Sequence, residues 1–155
     1  MNAPAFPVKV VAAKPADSSL ALRLRKEVDG EVLFDAASRG RYSTDASIYQ
    51  IEPIGVVVPR NAEAARTAIA IAAESTVPIL PRGAGSSQCG QAVGAALVID
   101  DSKYLDAVIE VDATAHTALV EPGLVLDALN AKLRPLGLWF PVDVSTSAQD
   151  RKSVV

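Results

Sequence analysis

The stretch PRGAGSSQCGQAVG, Pro81 to Gly94, follows directly on the apolar run VPIL and holds four glycines. Glycine loses more backbone freedom on folding than any other residue. Such a run is kept only where a positive φ or a close approach to the backbone requires it. Two common phosphate motifs can be tested here. A Walker A loop needs a lysine after its second glycine, because that lysine reaches the terminal phosphates. Gly85 and Gly90 have the spacing, but Gln91 stands in the lysine position. A dinucleotide fingerprint needs G-x-G-x-x-G opening a helix. Gly83 and Gly85 fit, whereas Gln88 replaces the third glycine and the next element reads as a strand. What remains is a loop of consecutive N–H groups with the hydroxyls of Ser86 and Ser87 and the nearby Arg82. Successive amides can form an anion-binding concavity without a helix. Spacing alone leaves open a structural turn and an anion- or diphosphate-binding loop.

Working outward, VPIL (Val77 to Leu80) reads as a buried strand, and so does IGVVVP (Ile54 to Pro59), β-branched and bounded by prolines. Between them Asn61 caps a helix running to about Glu74, with Ala65, Ile69, Ala72 and Ala73 as its small-residue face. Downstream, ALVID (Ala96 to Asp100) is a third strand. Asp106 to Gly123 then reads as two strands about a turn at Asp112 to Thr114, with His116 in the second strand. Leu126, Leu129 and Leu133 mark an amphipathic helix that Pro135 and Gly137 end. Upstream, residues 1–15 form a proline-bearing leader. Asp17 or Ser18 caps a helix striped by Leu20, Leu24 and Val28, which Gly30 stops. DAASRGRYSTDAS (Asp35 to Ser47) reads as a loop around one helical turn. The order predicts a mixed α+β unit.

The 155 residues suit roughly one domain. With 50% hydrophobic and 21% charged residues the chain is not of the disordered class. A net charge of -3 gives no basic footprint for nucleic acid. The single cysteine, Cys89, rules out an internal disulfide framework or a cysteine-rich metal site and suits a reducing compartment. No signal peptide and no apolar run long enough to span a bilayer is read, so a cytoplasmic location is expected. Cys89 suits a small buried packing position, and Trp139 with Phe140 suits a core. The only histidine, His116, reads as structural or solvated; Asp45 and Tyr42 belong to the stretch RYSTDAS, and a turn-forming role explains Asp45 almost as well. None of these stands out as a catalytic group.

From about Arg41 to about Gln149 the sequence resembles the amino-terminal part of the FAD-linked oxidase family. Its fold is the PCMH or vanillyl-alcohol oxidase type, and it includes D-lactate, D-2-hydroxyglutarate and glycolate dehydrogenases. Four stretches carry the resemblance: RYSTDASIY (Arg41 to Tyr49), PIGVVVPRNAEAA (Pro53 to Ala65), PILPRGAGSSQCGQAV (Pro78 to Val93) and VEPGLVLDALNAKLRPLGLWFPVDVSTS (Val120 to Ser147). The resemblance implies the first subdomain and part of the second of a PCMH-type FAD-binding domain over residues 41–149. Residues 1–40 would be a leader and helix, and 150–155 a divergent tail.

It further implies that Arg82, Gly83, Ala84, Gly85, Ser86 and Ser87 wrap the FAD diphosphate, with Gln88 and Gly90 finishing the turn. Pro122 and Gly123 would lie beside the cofactor, and Pro141, Asp143, Ser145 and Ser147 would line it. Some relatives attach FAD covalently through a histidine in this loop; Ser86 stands at that position, so non-covalent FAD is expected. The family's glycine-glycine stretch and substrate domain are not found, so the chain reads as a truncated portion, inactive alone. The complete enzyme would take a small 2-hydroxyacid substrate and carry a possible downstream iron–sulfur domain or partner chain. The alternative is a non-catalytic fragment or interaction protein that keeps the fold without binding FAD alone.

Overall fold

The computed structural model describes residues 18–142 and 144–150. Helix α1 (Ser19–Glu27) starts where Ser18 Oγ accepts from the Ala21 amide at 3.3 Å, so the expected cap is the serine. Leu20 and Leu24 are buried. Val28 caps its far end, and Gly30 opens a strand rather than stopping the helix. That strand, β1 (Gly30–Leu33), was not expected from the sequence. It runs antiparallel to β2 (Gly55–Pro59), with Glu31 opposite Val58 and Val32 opposite Val57. A Cβ at Gly30 would lie 2.5 Å from the Val58 carbonyl oxygen, so the glycine permits the close pairing. Short helix α2 (Ala36–Arg41) follows, capped by Asp35, which is the single turn expected within that loop.

From β2 the chain enters α3 (Ala62–Glu74), where Asn61 Oδ1 accepts from the Ala64 amide at 2.8 Å. It returns as β3 (Ile79–Arg82), crosses the glycine loop and forms β4 (Leu97–Asp100). The sheet order is β1-β2-β4-β3, with β2, β4 and β3 mutually parallel and β3 on the rim. Strand β3 starts two residues later than VPIL suggests. The Val77 amide still closes on the Ala72 carbonyl at the end of α3 and is not free to pair. Arg82 is the last strand residue, in register with Asp100.

The buried face of α3 is Ala64, Ala68, Ile71 and Ala72, and Ile69 is 44% exposed. The expected stripe is thus offset by one residue. Two neighbouring faces of this helix are lined with small apolar side chains, so periodicity could not choose between them. Packing against α1 and the sheet selects the face that meets Leu20, Leu24, Val57 and Leu97. Phe34 completes this core by lying over Gly55, where a Cβ would come within 2.7 Å of its ring. Burying a phenylalanine side chain contributes about 2–3 kcal/mol.

Beyond the sheet, β5 (Val108–Asp112) and β6 (Thr117–Val120) form an antiparallel hairpin. Asp112 Oδ1 accepts from the Thr114 and Ala115 amides, both at 2.8 Å. His116 is exposed in the turn at φ 56°, not in the strand where it was expected. Helix α4 (Leu126–Leu133) presents Leu126, Leu129 and Leu133 to this hairpin as a second small core. A 3-10 turn over Arg134–Leu136 holds Pro135, and Gly137 ends it at φ 71°. Phe140 packs on that core, but Trp139 is 71% exposed, against the expectation for the pair. The core of Leu126, Leu129 and Leu133 thus receives only one of the two rings. Among the described residues no helix is long and apolar enough to cross a membrane.

Candidate functional site at the carboxyl ends of the parallel strands

Ligands of open α/β sheets bind outside the carboxyl ends of the parallel strands. Here β3 ends at Arg82 and β4 at Asp100, so the glycine loop leaves the sheet on that side. A polar cleft of about 520 Å³ opens there, lined by Arg41, Tyr42, Gly83, Ala84, Asp100 and Gln149 among others.

None of the amides from Gly83 to Gln88 donates to another described group. This leaves a consecutive row of N–H donors at the end of a parallel sheet. The loop is shaped by Gly85 at φ 68° and Gly90 at φ 76°, a region open to glycine and costly for most side chains. Both glycines also sit against other groups. A Cβ on Gly85 would come within 2.8 Å of Arg82 Cζ, and one on Gly90 within 2.6 Å of Tyr49 Cδ2.

The polar side chains of the loop do less for a ligand than the sequence suggests. Ser87 is buried, and its hydroxyl bonds to Gln91 Oε1 while accepting from the Cys89 amide at 3.3 Å and the Gln91 amide at 3.4 Å. It closes the loop from within. Arg82 donates through Nη1 to the Ala92 carbonyl at 2.8 Å and to the Tyr42 carbonyl at 3.4 Å, and through Nη2 to the Thr44 carbonyl at 2.9 Å. Ser86 is partly exposed and Gln88 exposed. Cys89 is exposed too, contrary to the buried position expected of it, because the turn after Gly85 carries it outward.

Two carboxylates stand where β4 stops, Asp100 as its last residue and Asp101 just after it. Asp100 is buried and accepts from the Tyr42 phenol at 2.6 Å and from the Ser102 amide at 2.9 Å. Burial, reinforced by the hydrogen bond to Asp100, holds the Tyr42 phenol well above its usual range. Burial and then the neighbouring Asp100 charge push the Asp101 carboxyl up to about 6. Asp45 is held below the usual carboxylate range, chiefly by its hydrogen bond to Ser47. Its Oδ1 forms a turn by taking the Ser47 amide at 2.8 Å, one of the two readings open for it, and its other oxygen takes the Ala92 amide at 3.3 Å.

The structure gathers only part of the residues read from the sequence. Arg82, Gly83 and Ala84 line the cleft. Ser145 and Ser147 lie in the turn that brings Ala148 and Gln149 to it. Pro122 instead lines an apolar groove with Ile69, Ile79 and Leu105. Gly123 is required by packing: its amide donates to the Leu105 carbonyl at 2.7 Å, and a Cβ would stand 2.6 Å from that oxygen. Pro141 lines a separate hollow with His116 and Trp139. Asp143 lies outside the described residues. Sequence reasoning missed Arg41, Asp100, Ser102 and Gln149 as cleft residues. The signal for the first was present in RYSTDAS, whereas strand-end aspartates carry none. Among the described residues no cluster of three or more His, Cys, Asp or Glu side chains could hold a metal ion.

Residues 53–150 match a family model described as FAD binding domain. The D-2-hydroxyglutarate dehydrogenase of Pantoea ananatis is 34% identical over 121 residues, covering 76% of this chain and 12% of that protein. The glycolate oxidase subunit GlcD of Bacillus subtilis is 36% identical over 128 residues, covering 77% of this chain and 26% of that protein. The chain therefore spans between 12% and 26% of the length of these curated relatives. Among solved structures, alkyldihydroxyacetonephosphate synthase superposes with a TM-score of 0.74 at 19% identity, over 96% of this chain and 33% of that one. For p-cresol methylhydroxylase the TM-score is 0.54 at 19% identity, over 69% and 22% of the two chains. At these identities the likeness is one of fold.

Proposed function

This chain belongs to the FAD binding domain family and carries part of its PCMH-type fold, and we propose that it supplies the diphosphate cradle of a flavin-dependent 2-hydroxyacid oxidoreductase. The observation that carries this reading is the row of free amides from Gly83 to Gln88 at the carboxyl end of the parallel sheet. A diphosphate needs several donors at short range, and glycine, alanine and serine are the residues that let it approach.

When bound, FAD would supply hydride acceptance, chemistry that no side chain can provide. The chain's own part is to bind and orient. Gly83, Ala84, Gly85 and Ser86 would present amides to the diphosphate, Ser87 would brace the loop, and Gln88 and Gly90 would complete its turn. Pro122, Gly123, Pro141, Asp143, Ser145 and Ser147 would form the more distant lining. Ser86 cannot form the histidine linkage, which supports non-covalent FAD. The 2-hydroxyacid class is supported by the two dehydrogenase and oxidase relatives. The small share of each relative that the chain spans supports a substrate site, and an iron–sulfur domain or partner chain, contributed by residues outside these 155. The proposed cradle unit is 41–149, preceded by the leader and helix of 1–40 and followed by the tail of 150–155. The lone cysteine is in keeping with a cytoplasmic setting.

Titration of the purified chain with FAD, ATP and NAD, followed by flavin fluorescence and competition, tests this reading. FAD is expected to bind most tightly. Tighter binding of ATP than of FAD would overturn it, and no binding of any of the three would favour an interaction protein that keeps only the fold.

A further inference from the structure

Arg82 has the charge expected of a phosphate ligand, but its guanidinium is already engaged. It donates to the carbonyls of Ala92, Tyr42 and Thr44 and lies 5.2 Å from the centre of the Tyr42 ring. Those carbonyls belong to two segments far apart in sequence, the end of the glycine loop and the Tyr42–Asp45 stretch. Other contacts join the same two segments. The Ala46 amide donates to the Gly85 carbonyl at 3.1 Å, the Ala92 amide donates to Asp45 Oδ2 at 3.3 Å, and Gly90 fits against Tyr49. The RYSTDASIY stretch is thus a clasp around the back of the loop, and Arg82 is its central pin.

We propose that Arg82 is a positioning residue: it holds the Tyr42–Tyr49 clasp against the glycine loop so that the amides of Gly83 to Gln88 face one anion, and does not itself bind that anion. The proposal rests on the reading of the loop as a diphosphate cradle. A planar fork with several fixed donors suits carbonyls lying in different directions. An ammonium group is a point charge and cannot span them. Gly85 follows from the same arrangement, since the guanidinium occupies the space a side chain there would need.

Two variants separate pin from ligand. Arg82→Lys keeps the charge and loses the fork; Arg82→Ala loses both. In the ligand-free 155-residue chain, backbone ¹⁵N relaxation should give ordered amides for Gly83 to Gln88, with order parameters near about 0.8, and in both variants values falling below about 0.6. Ala46→Pro deletes the amide that holds Gly85 from the clasp side and should loosen the same amides with Arg82 intact. FAD titrations at low and high salt should show affinity falling at least tenfold in both arginine variants, with an unchanged salt dependence. A direct ionic contact would be screened by salt and lost with the charge. Unaltered order parameters in Arg82→Lys and Ala46→Pro would overturn the proposal. So would wild-type affinity in Arg82→Lys, or a reduced salt dependence in Arg82→Ala alone. Failure of the unmodified chain to bind FAD would count against the cradle reading only, because the relaxation result stands without ligand.

Discussion

Tyr42 donates its phenolic hydrogen to Oδ2 of Asp100 at 2.6 Å, so the end of α2 is tied to the last residue of the central strand β4. The acceptor is buried, and its other oxygen is taken by the Ser102 amide. Tyr42→Phe leaves one carboxylate oxygen without its partner while keeping the ring. The expected loss is about 1–3 kcal/mol, seen as a lower urea midpoint with an unchanged m-value. A midpoint equal to wild type would show that water replaces the phenol at no cost.

Gly85→Val should abolish most FAD binding, and Cys89→Ser should leave it within about twofold of wild type, a difference of under about 0.4 kcal/mol. Valine is strained at φ 68° and would meet the Arg82 guanidinium, whereas Cys89 is exposed and serine is nearly its size. Flavin content measured by absorbance after gel filtration compares them. Equal content in the two variants would remove the loop from the cofactor site.

Asp101 gives a pH signature. Its folded value, about 6, lies above the ordinary 3.8, so between those values the native state holds a proton that the unfolded chain has released. Stability from this group therefore falls as pH rises through that window. Asp101→Asn cannot ionise. It should match wild type near pH 4 and exceed it at pH 7 by about 1 kcal/mol, a figure reduced for the group's partial exposure. Melting curves across the range check it; a constant offset between the two proteins would contradict the assignment.

The isolated 155-residue chain with added FAD and an artificial dye should show no turnover of D-2-hydroxyacids. A base must sit within hydrogen-bond reach of the proton it takes, in a site that also orients the substrate. His116 stands in the hairpin turn and lines a hollow with Trp139, away from the cleft of the glycine loop. Substrate-dependent dye reduction that disappears in Gly85→Val would show that these residues suffice.

The parallel strands, α3 and α4 were legible because each announces itself locally, by a β-branched run, an asparagine cap or a leucine repeat. Strand β1 was not, since GEVL is short and each of its residues is half-buried, which erases the alternation that marks a strand. The glycine loop was legible as a loop following a strand but not in its wiring. No sequence pattern says that Arg82 turns back to Thr44 or that Ser87 faces Gln91, because both depend on contacts made only after the sheet assembles. Trp139 and Phe140 were indistinguishable for a similar reason: both suit a core, and the position of α4 decides which one enters it.

Among the described residues strand β3 forms the rim of the sheet, and the carbonyls of Pro78 and Arg82 accept from Leu97 and Asp101, so its even-numbered residues face β4. By alternation the backbone of Pro81 faces outward. A bare strand edge is a template on which a second chain can polymerise, and proline has no amide to offer it. Any strand adding to this rim would lose a hydrogen bond at its centre, beside a bulky ring. With valine there, Ile79 to Arg82 would become an uninterrupted sticky edge. A proline at this place in the rim disfavours the addition of another strand there.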